Sequence, residues 1–195
     1  MVRYGKEHKQ ATRRRIVETA GRRLKLDGID GSGVATLMAD AGLTNGAFYA
    51  HFVSKEDLVG TAIAEQLHQQ RAGFAAYPPG RAGVEQLIRD YLSVQHRDSP
   101  GDGCPSAALL DEIDRSSDAV KRAYTDGLLG VVDDIATRLA PHDPGSARAV
   151  TLRVMALLLG TLQLSRALAE PGLADEILDD GIRTALTLLG DAPQD

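Results

Sequence analysis

The chain has 195 residues, with 22 Lys or Arg against 27 Asp or Glu, a formal net charge of −5 and a single cysteine. A lone cysteine excludes an intramolecular disulfide framework, and an N-terminus without an apolar core is not a secretory signal. The most apolar stretch, residues 154–164, is shorter than the roughly 20 residues of a membrane-spanning helix. We therefore expect a cytoplasmic protein, and the Leu- and Ala-rich second half favours an all-α fold.

Charge is distributed unevenly along the chain. Residues 1–55 hold ten Lys or Arg against five Asp or Glu, whereas the remainder holds 12 against 22. A basic quarter on an acidic protein is expected to meet a polyanion and to leave the rest of the chain repelled by it.

The first predicted helix covers residues 9–27, behind a polar arm at residues 1–8. Its apolar positions recur at helical spacing, and we place its basic residues, Lys25 among them, on the surface. The arginines near its start are candidates for contact with phosphate. Gly28 is predicted to end the helix, and Ser32 to cap the next one.

Residues 34–55 contain a helix, a glycine turn and a second short helix. The apolar face of residues 34–41 predicts a supporting helix, Gly42 provides the turn, and Thr44 is a good N-cap for a segment that reaches about His51. That segment buries Phe48 and Phe52. Its length, about 12 Å, matches the width of the B-DNA major groove. This is the helix-turn-helix pattern, and Ser54 then caps a long helix that runs to about residue 75.

The sequence from Gly28 to Leu58, G-x4-G-V-x2-L-M-x2-A-G-L-T-x-G-x-F-Y-x-H-F-x-S-K-E-x-L, closely resembles the N-terminal domain of the tetracycline-repressor (TetR) family. The resemblance covers about the first third of the chain. It implies a DNA-binding domain at residues 1–56 and a larger helical bundle at residues 57–195 for effector binding and dimerisation.

The resemblance also implies individual DNA contacts. It assigns phosphate contact to Tyr49, His51 and Lys55, and base or phosphate contact to Thr44 and Asn45, while the small residues Gly46 and Ala47 permit close approach. Ser32 and Gly33 complete the predicted DNA-binding set, although the family usually has a hydroxyl residue where this chain has Gly33. The alternative for Tyr49 and His51 is that they only cover the turn.

Further helices are predicted at residues 81–96, from Pro105 onward, and at 117–139, 146–169 and 173–189. The helix at 146–169 is apolar on more than one side, which suggests a homodimer interface formed by the last two helices. The family implies an effector cavity among the middle helices, lined by residues that are equally good as plain core: Leu67, Leu87, Tyr91, Leu109, Tyr124 and Leu128.

Cys104 precedes Pro105 at the expected start of a helix, where free N–H groups favour a thiolate. Some TetR-like regulators carry a cysteine here, and in a few of them the thiol senses oxidants or electrophiles. The alternative is a small apolar residue that fills a tight loop. The five histidines show no metal-ligand spacing, and no catalytic motif is present, so we expect no metal, no cofactor and no enzyme activity.

The sequence thus predicts an all-α homodimeric transcription regulator, a repressor that binds a palindromic operator and is released by an unidentified small molecule. Three alternatives stay open. One is a helical ligand-binding or scaffold protein with an unused helix-turn-helix, another is a regulator that senses oxidants or electrophiles through Cys104, and the third, disfavoured by the missing motifs, is an enzyme.

Overall fold

The computed structural model describes residues 2–190, with side chains from residue 7 onward, and within that range it is helical and contains no strand. This confirms the all-α prediction. The α-helices are α1 (Val2–Gly31), α2 (Val34–Asp40), α3 (Lys55–Gly73), α4 (Gly80–Tyr91), α5 (Val94–Asp98), α6 (Pro105–Arg115), α7 (Asp118–Leu139), α8 (Pro144–Ala167) and α9 (Pro171–Gly190). Short 3-10 helices lie at Asn45–Ala50, Phe74–Ala76 and Pro100–Asp102.

Helix α1 begins earlier than predicted and is interrupted where predicted. The polar arm expected at residues 1–8 is wrong for residues 2–8, which continue the helix; residue 1 lies outside the described range. Lys, Glu, Gln and Arg are good helix formers, so polarity did not argue against a helix there. Gly28 has φ 79° and ψ 168°, a conformation that favours glycine, and it separates Ile29–Gly31 from the rest of α1.

The unit after α1 follows the predicted helix, turn and segment, with one difference. Gly42 has φ 69° and makes the turn, but Asn45–Ala50 is a 3-10 helix rather than an α-helix. A 3-10 helix rises about 2.0 Å per residue, so six residues still span about 12 Å. Phe48 and Phe52 are buried and stack with ring centroids 5.8 Å apart, which confirms both as core residues.

Helix α3 connects this unit to the bundle. Ser54 caps it as predicted, because the Ser54 hydroxyl accepts the N–H of Asp57 at 3.1 Å. The carboxylate of Asp57 in turn accepts the N–H of Val53 at 3.1 Å, so both exposed backbone donors are satisfied. Helix α3 packs on α1 and α7, and α7 and α9 both pack on α8.

The predicted helix at residues 81–96 is two helices. Helix α4 ends at Tyr91, and Ser93 then caps α5 by accepting the N–H of His96 at 3.2 Å. A serine side chain that bonds the backbone in this way competes with helix continuation. Ser117 occupies the N-cap position of α7 as predicted, but its buried hydroxyl makes no capping bond.

Helix α8 has 24 residues, more than the apolar stretch at residues 154–164 that it contains, and by length and composition alone it is apolar enough to cross a membrane. The core helix of a globular protein passes the same test, and α8 packs against α7 and α9. Its exposed face carries a row at four-residue spacing, Leu152, Ala156, Gly160 and Leu164.

Candidate nucleic-acid interface and cavity

Residues 44–51 present a polar surface, which we call the 44–51 face. Thr44, Asn45 and Gly46 are exposed, Ala47 is half-buried, and Tyr49 is 78% exposed. Thr44 stands at the N-cap position without a side-chain cap bond. No atom lies within 4 Å of where a Cβ of Gly46 would be, so a partner can approach the backbone there. The 44–51 face is therefore exposed to solvent, and the buried side chain of Phe48 anchors it to the core.

The two aromatic members of this face differ in environment. The Tyr49 ring stands edge-on to Phe48 with centroids 5.2 Å apart, which leaves its hydroxyl in solvent. His51 is half-buried, and burial, followed by the charges of Lys9 and Arg13, lowers its pKa. A contact of His51 with phosphate at neutral pH is therefore a hydrogen bond from an uncharged ring.

Two other predicted contacts point inward. The Lys55 ammonium donates to the carbonyl oxygen of Ile29 at 2.5 Å, and the Ser32 hydroxyl donates to that of Gly28 at 2.7 Å. Ser32 is fully buried, and the exposed Gly33, without a side-chain cap bond, occupies the N-cap of α2, so the predicted cap by Ser32 is wrong. The end of α1 leaves its last carbonyls short of helical donors, and these two side chains donate to two of them; the Ile29 carbonyl also accepts the Ser32 N–H at 3.4 Å.

Some arginines of α1 contact other side chains of the protein, and others are exposed. Arg13 lies 4.6 Å from the centre of the Phe52 ring, and Arg23 bonds the carboxylates of Asp40 and Asp27. Those two carboxylates raise the pKa of Arg23. Arg14 and Arg15 are exposed, so they remain the better candidates for phosphate contact.

A cavity of about 390 Å³ lies between α1, α3, α4 and the start of α6. Of the residues predicted to bind or sense an effector, Cys104, Leu87 and Tyr91 line it. Leu67, Leu109, Tyr124 and Leu128 are not among its lining residues, and the first three are buried in the core. The remaining lining residues are Lys25, Gln66, Gln69, Gln70, Phe74, Tyr77, Asp90, His96, Asp102, Gly103 and Pro105.

His96 ties together two walls of the cavity. Its Nε2 accepts the backbone N–H of Cys104 at 3.0 Å, and its Nδ1 lies 2.7 Å from the carbonyl oxygen of Tyr91. Nε2 must be unprotonated to accept, and Nδ1 must carry the proton to donate, so the ring is neutral. Burial lowers the pKa of His96, in agreement with that state.

Cys104 occupies the N-cap of α6 and is 7% exposed. Its thiol donates a weak hydrogen bond to Oε1 of Gln70 at 3.7 Å. The preceding carbonyl, that of Gly103, accepts from the Lys25 ammonium at 2.7 Å. The predicted surface position of Lys25 is therefore wrong, because this side chain is half-buried in the cavity wall.

Sequence reasoning missed Lys25, His96 and the glutamines of α3. Each sits on an element whose polar positions look like an ordinary solvated face, and nothing in the local pattern separates them from it. Among residues 7–190, no group of three or more His, Cys, Asp or Glu side chains is placed to hold a metal ion.

Comparison with known proteins agrees with this architecture. The family model for bacterial regulatory proteins of the tetR family matches residues 16–62. The helix-turn-helix transcriptional regulator TtgR of Pseudomonas putida is 41% identical over 87 residues, which are 45% of this chain and 41% of TtgR. The match thus spans less than half of that relative.

Two solved structures share the fold over nearly the whole chain. The reduced form of E. coli NemR has a TM-score of 0.76 at 18% identity, and the alignment covers 90% of this chain and 95% of NemR. A TetR-family transcriptional regulator from Cytophaga hutchinsonii has a TM-score of 0.75 at 18% identity, with 96% and 98% covered.

Proposed function

We propose that this chain, a member of the TetR family, is a DNA-binding transcriptional regulator of the helix-turn-helix class and that it acts as a repressor. It binds a palindromic operator as a homodimer, through the 44–51 face, and a small molecule in the cavity releases it. A cytoplasmic location is part of the proposal, since a lone thiol stays reduced there.

The observation that carries the proposal is that one helix, α1, contributes to both regions. Its residues Ile16, Ala20 and Leu24 are fully buried, and Arg13 packs over the Phe52 ring behind the 44–51 face. Further along the same helix, Lys25 lines the cavity. A change in the cavity wall therefore acts on the helix that supports the 44–51 face.

Helix α6 provides the second connection. One carboxylate oxygen of Glu112 accepts the N–H groups of Ile29 and Asp30 at 2.7 and 3.0 Å, directly after the break at Gly28. Helix α6 begins at the cavity with Cys104 and Pro105. A ligand that favours a different position of α6 shifts the dimer toward a state in which the two DNA-binding units no longer match the spacing of the operator half-sites. The size of this shift is limited by the difference between the ligand's affinities for the two states.

The homodimer is proposed through α8 and α9. The row Leu152, Ala156, Gly160 and Leu164 is exposed on α8, and its small members would let a second helix approach closely. Leu173 adds exposed apolar surface at the start of α9. Sedimentation tests this: the wild type is expected to be a dimer and Leu164→Arg a monomer, while Arg153→Ala, next to the row on α8, stays dimeric.

Selection of bound fragments from a random DNA pool tests the proposed function. The expected result is an inverted repeat whose half-sites lie about one helical turn, 34–36 Å, apart or a multiple of it. Weak binding that shows no sequence preference and is lost as salt rises would contradict the proposal, because it would mean that the basic N-terminal quarter binds polyanions in general.

Thiol sensing by Cys104 is a second candidate, favoured by its position in the cavity wall beside Lys25. The chain has no second cysteine to form an intramolecular disulfide, so modification by an electrophile is the form to test. Operator affinity unchanged after iodoacetamide has labelled Cys104 would exclude it.

A further inference from the structure

Two half-buried cationic side chains meet the cavity wall: Lys25 lines the cavity, and Arg166, which does not line it, bonds the backbone of the lining residue His96. The Lys25 ammonium bonds the carbonyl oxygen of Gly103, and the Arg166 guanidinium bonds the carbonyl oxygens of His96 and Arg97 at 2.7 and 3.1 Å. Gly103, whose carbonyl Lys25 bonds, is also close to Arg166, since a Cβ at Gly103 would lie 3.4 Å from an Arg166 nitrogen. Both cations therefore sit around the same short stretch of backbone, next to Cys104.

The nearby carboxylates already have other partners. Asp102 pairs with Arg22, and Asp98 pairs with Arg97 at 2.7 Å. Within side chains 7–190, neither Lys25 nor Arg166 forms a salt bridge. Carbonyl dipoles, together with the charges of Asp102 near Lys25 and Asp98 near Arg166, compensate only part of the burial, because a charge removed from water is costly until it is paired. Burial accordingly lowers the pKa of Lys25 and of Arg166.

The cavity wall also contains a hydroxyl without a hydrogen-bond partner. The Tyr91 OH is buried without a hydrogen-bond partner; the Cys104 thiol, a weak acceptor, is the first of its polar neighbours, followed by Arg166 and Tyr124. Burial, and then Cys104, raise the pKa of Tyr91, so the hydroxyl keeps its proton as a donor. A buried donor of this kind lacks an acceptor.

The remaining wall is suited to a ring. Phe74, Tyr77 and Leu87 line it, and a volume near 390 Å³ is at the small end of ligand cavities, which run from about 300 to 1,000 Å³. Asp90 is an exposed carboxylate that also lines the cavity, so a second negative charge on the ligand would meet repulsion.

Resting on the proposed function, we propose that the effector is an aromatic monocarboxylate of about one ring. Its carboxylate lies between Lys25 and the Tyr91 hydroxyl, and its ring lies against Phe74 and Leu87. The carboxylate supplies both the missing counter-charge and the missing acceptor. A neutral analogue supplies the ring contacts without the counter-charge.

Calorimetric titration of the full-length protein tests this with three acid and amide pairs: benzoate and benzamide, phenylacetate and its amide, and 3-phenylpropionate and its amide. The wild type is expected to bind at least one acid about tenfold or more tightly than its amide, which corresponds to about 1.4 kcal/mol. Equal affinities, tighter binding of the amides, or no acid binding at about 10 mM in all three pairs would overturn the proposal, since millimolar affinity is already weak.

Variants of Lys25 test whether this side chain supplies the positive charge that binds the ligand carboxylate. Lys25→Met is expected to remove the preference for the acid and keep amide binding, whereas Lys25→Arg, with its charge, restores the preference. Lys121→Met is the matched control, because Lys121 lies on α7 outside the cavity, its side chain is 43% exposed, and its ion pair with Asp114 is long at 3.7 Å. A preference that survives in a folded Lys25→Met protein would contradict the assignment, and Lys25→Arg decides the case if the methionine variant does not fold.

Two further results distinguish the lysine from the thiol, and the ligand class from the proposed regulator. If Cys104, rather than the ligand, balanced the charge of the Lys25 ammonium, Cys104→Ser would change acid binding. We expect instead that the preference for the acid persists in Cys104→Ser. Operator binding is measured beside the titrations. Operator binding without acid preference overturns this inference alone, and acid binding without operator binding overturns the proposed regulator and leaves the ligand class.

Discussion

The 44–51 face and the cavity handle polar side chains in opposite ways. In the 44–51 face, Asn45 and Tyr49 project into solvent from one six-residue helix anchored by Phe48. In the cavity, Lys25 and His96 come from distant elements and are half-buried, with their bonds made to backbone atoms. An exposed surface contacts a solvated, highly charged partner. A cavity shielded from water instead selects a ligand whose charge balances an unpaired charge in its wall.

The largest expected effect comes from removing the anchor of the 44–51 face. Phe48 is 1% exposed, and Phe48→Ala should destabilise the DNA-binding unit by about 3–5 kcal/mol. Thermal unfolding with and without operator DNA measures this. The cavity should keep its ligand affinity, and a parallel loss of ligand affinity would show that the two regions are not separable.

Substitutions within the 44–51 face should divide into specificity and affinity. Asn45→Ala is expected to relax base preference at one operator position by about 1–3 kcal/mol. Tyr49→Phe, which removes an exposed hydroxyl, should weaken binding across sequences and leave the salt slope nearly unchanged, because the hydroxyl carries no charge. Binding titrations at several salt concentrations on matched and mismatched operators measure both. Unchanged affinity in both variants would remove this face from the DNA interface.

The connection between the regions should depend on Glu112. Glu112→Ala leaves the N–H groups of Ile29 and Asp30 without their acceptor and should cost about 1–3 kcal/mol. Hydrogen exchange at these two amides should accelerate, and ligand should release operator less completely. Asp111→Ala, which removes an exposed pair with Arg115, is the control and should change stability by less than about 0.5 kcal/mol. Unaltered release in Glu112→Ala would place the coupling elsewhere.

The smallest expected effect is a pH dependence shared by both regions. The pKa values of His51 and His96 are lowered in the folded state, so between those values and about 6.5 the unfolded chain binds more protons. Stability is thus complete above about pH 6.5 and falls as the pH drops through the folded pKa values. Thermal unfolding from about pH 7.5 to about pH 5 measures this, with His142→Gln, an exposed histidine, as control. His51→Gln and His96→Gln should each flatten the slope, and a slope unchanged in both would contradict the assignment.

The local structure behind the 44–51 face could be predicted from the sequence and the composition of the cavity wall could not, for a physical reason. Gly42, Phe48 and Ser54 act through neighbours within a few residues, so their roles follow from local spacing. The cavity depends on which helix faces which: Lys25 bonds Gly103, 78 residues away, and no local pattern encodes that distance. Leu67 and Leu109 satisfied the same periodicity as Leu87 but are buried in the core outside the cavity.

Tertiary contacts also position two residues of the predicted DNA-binding set in a way that local spacing does not give. Ser32 and Lys55 are of residue types that bind phosphate, yet in the fold both donate to carbonyls at the end of α1. The glycine was predicted as a helix end, but the side chains that satisfy its neighbours follow from the packing of α3 against α1.

The most direct test of the central claim is hydrogen exchange of the full-length protein with and without the selected operator. The account predicts protection in peptides that cover residues 44–55 and the exposed arginines of α1, and no protection along α9. Protection confined to the bundle, with residues 44–55 exchanging at the same rate in both states, would contradict it.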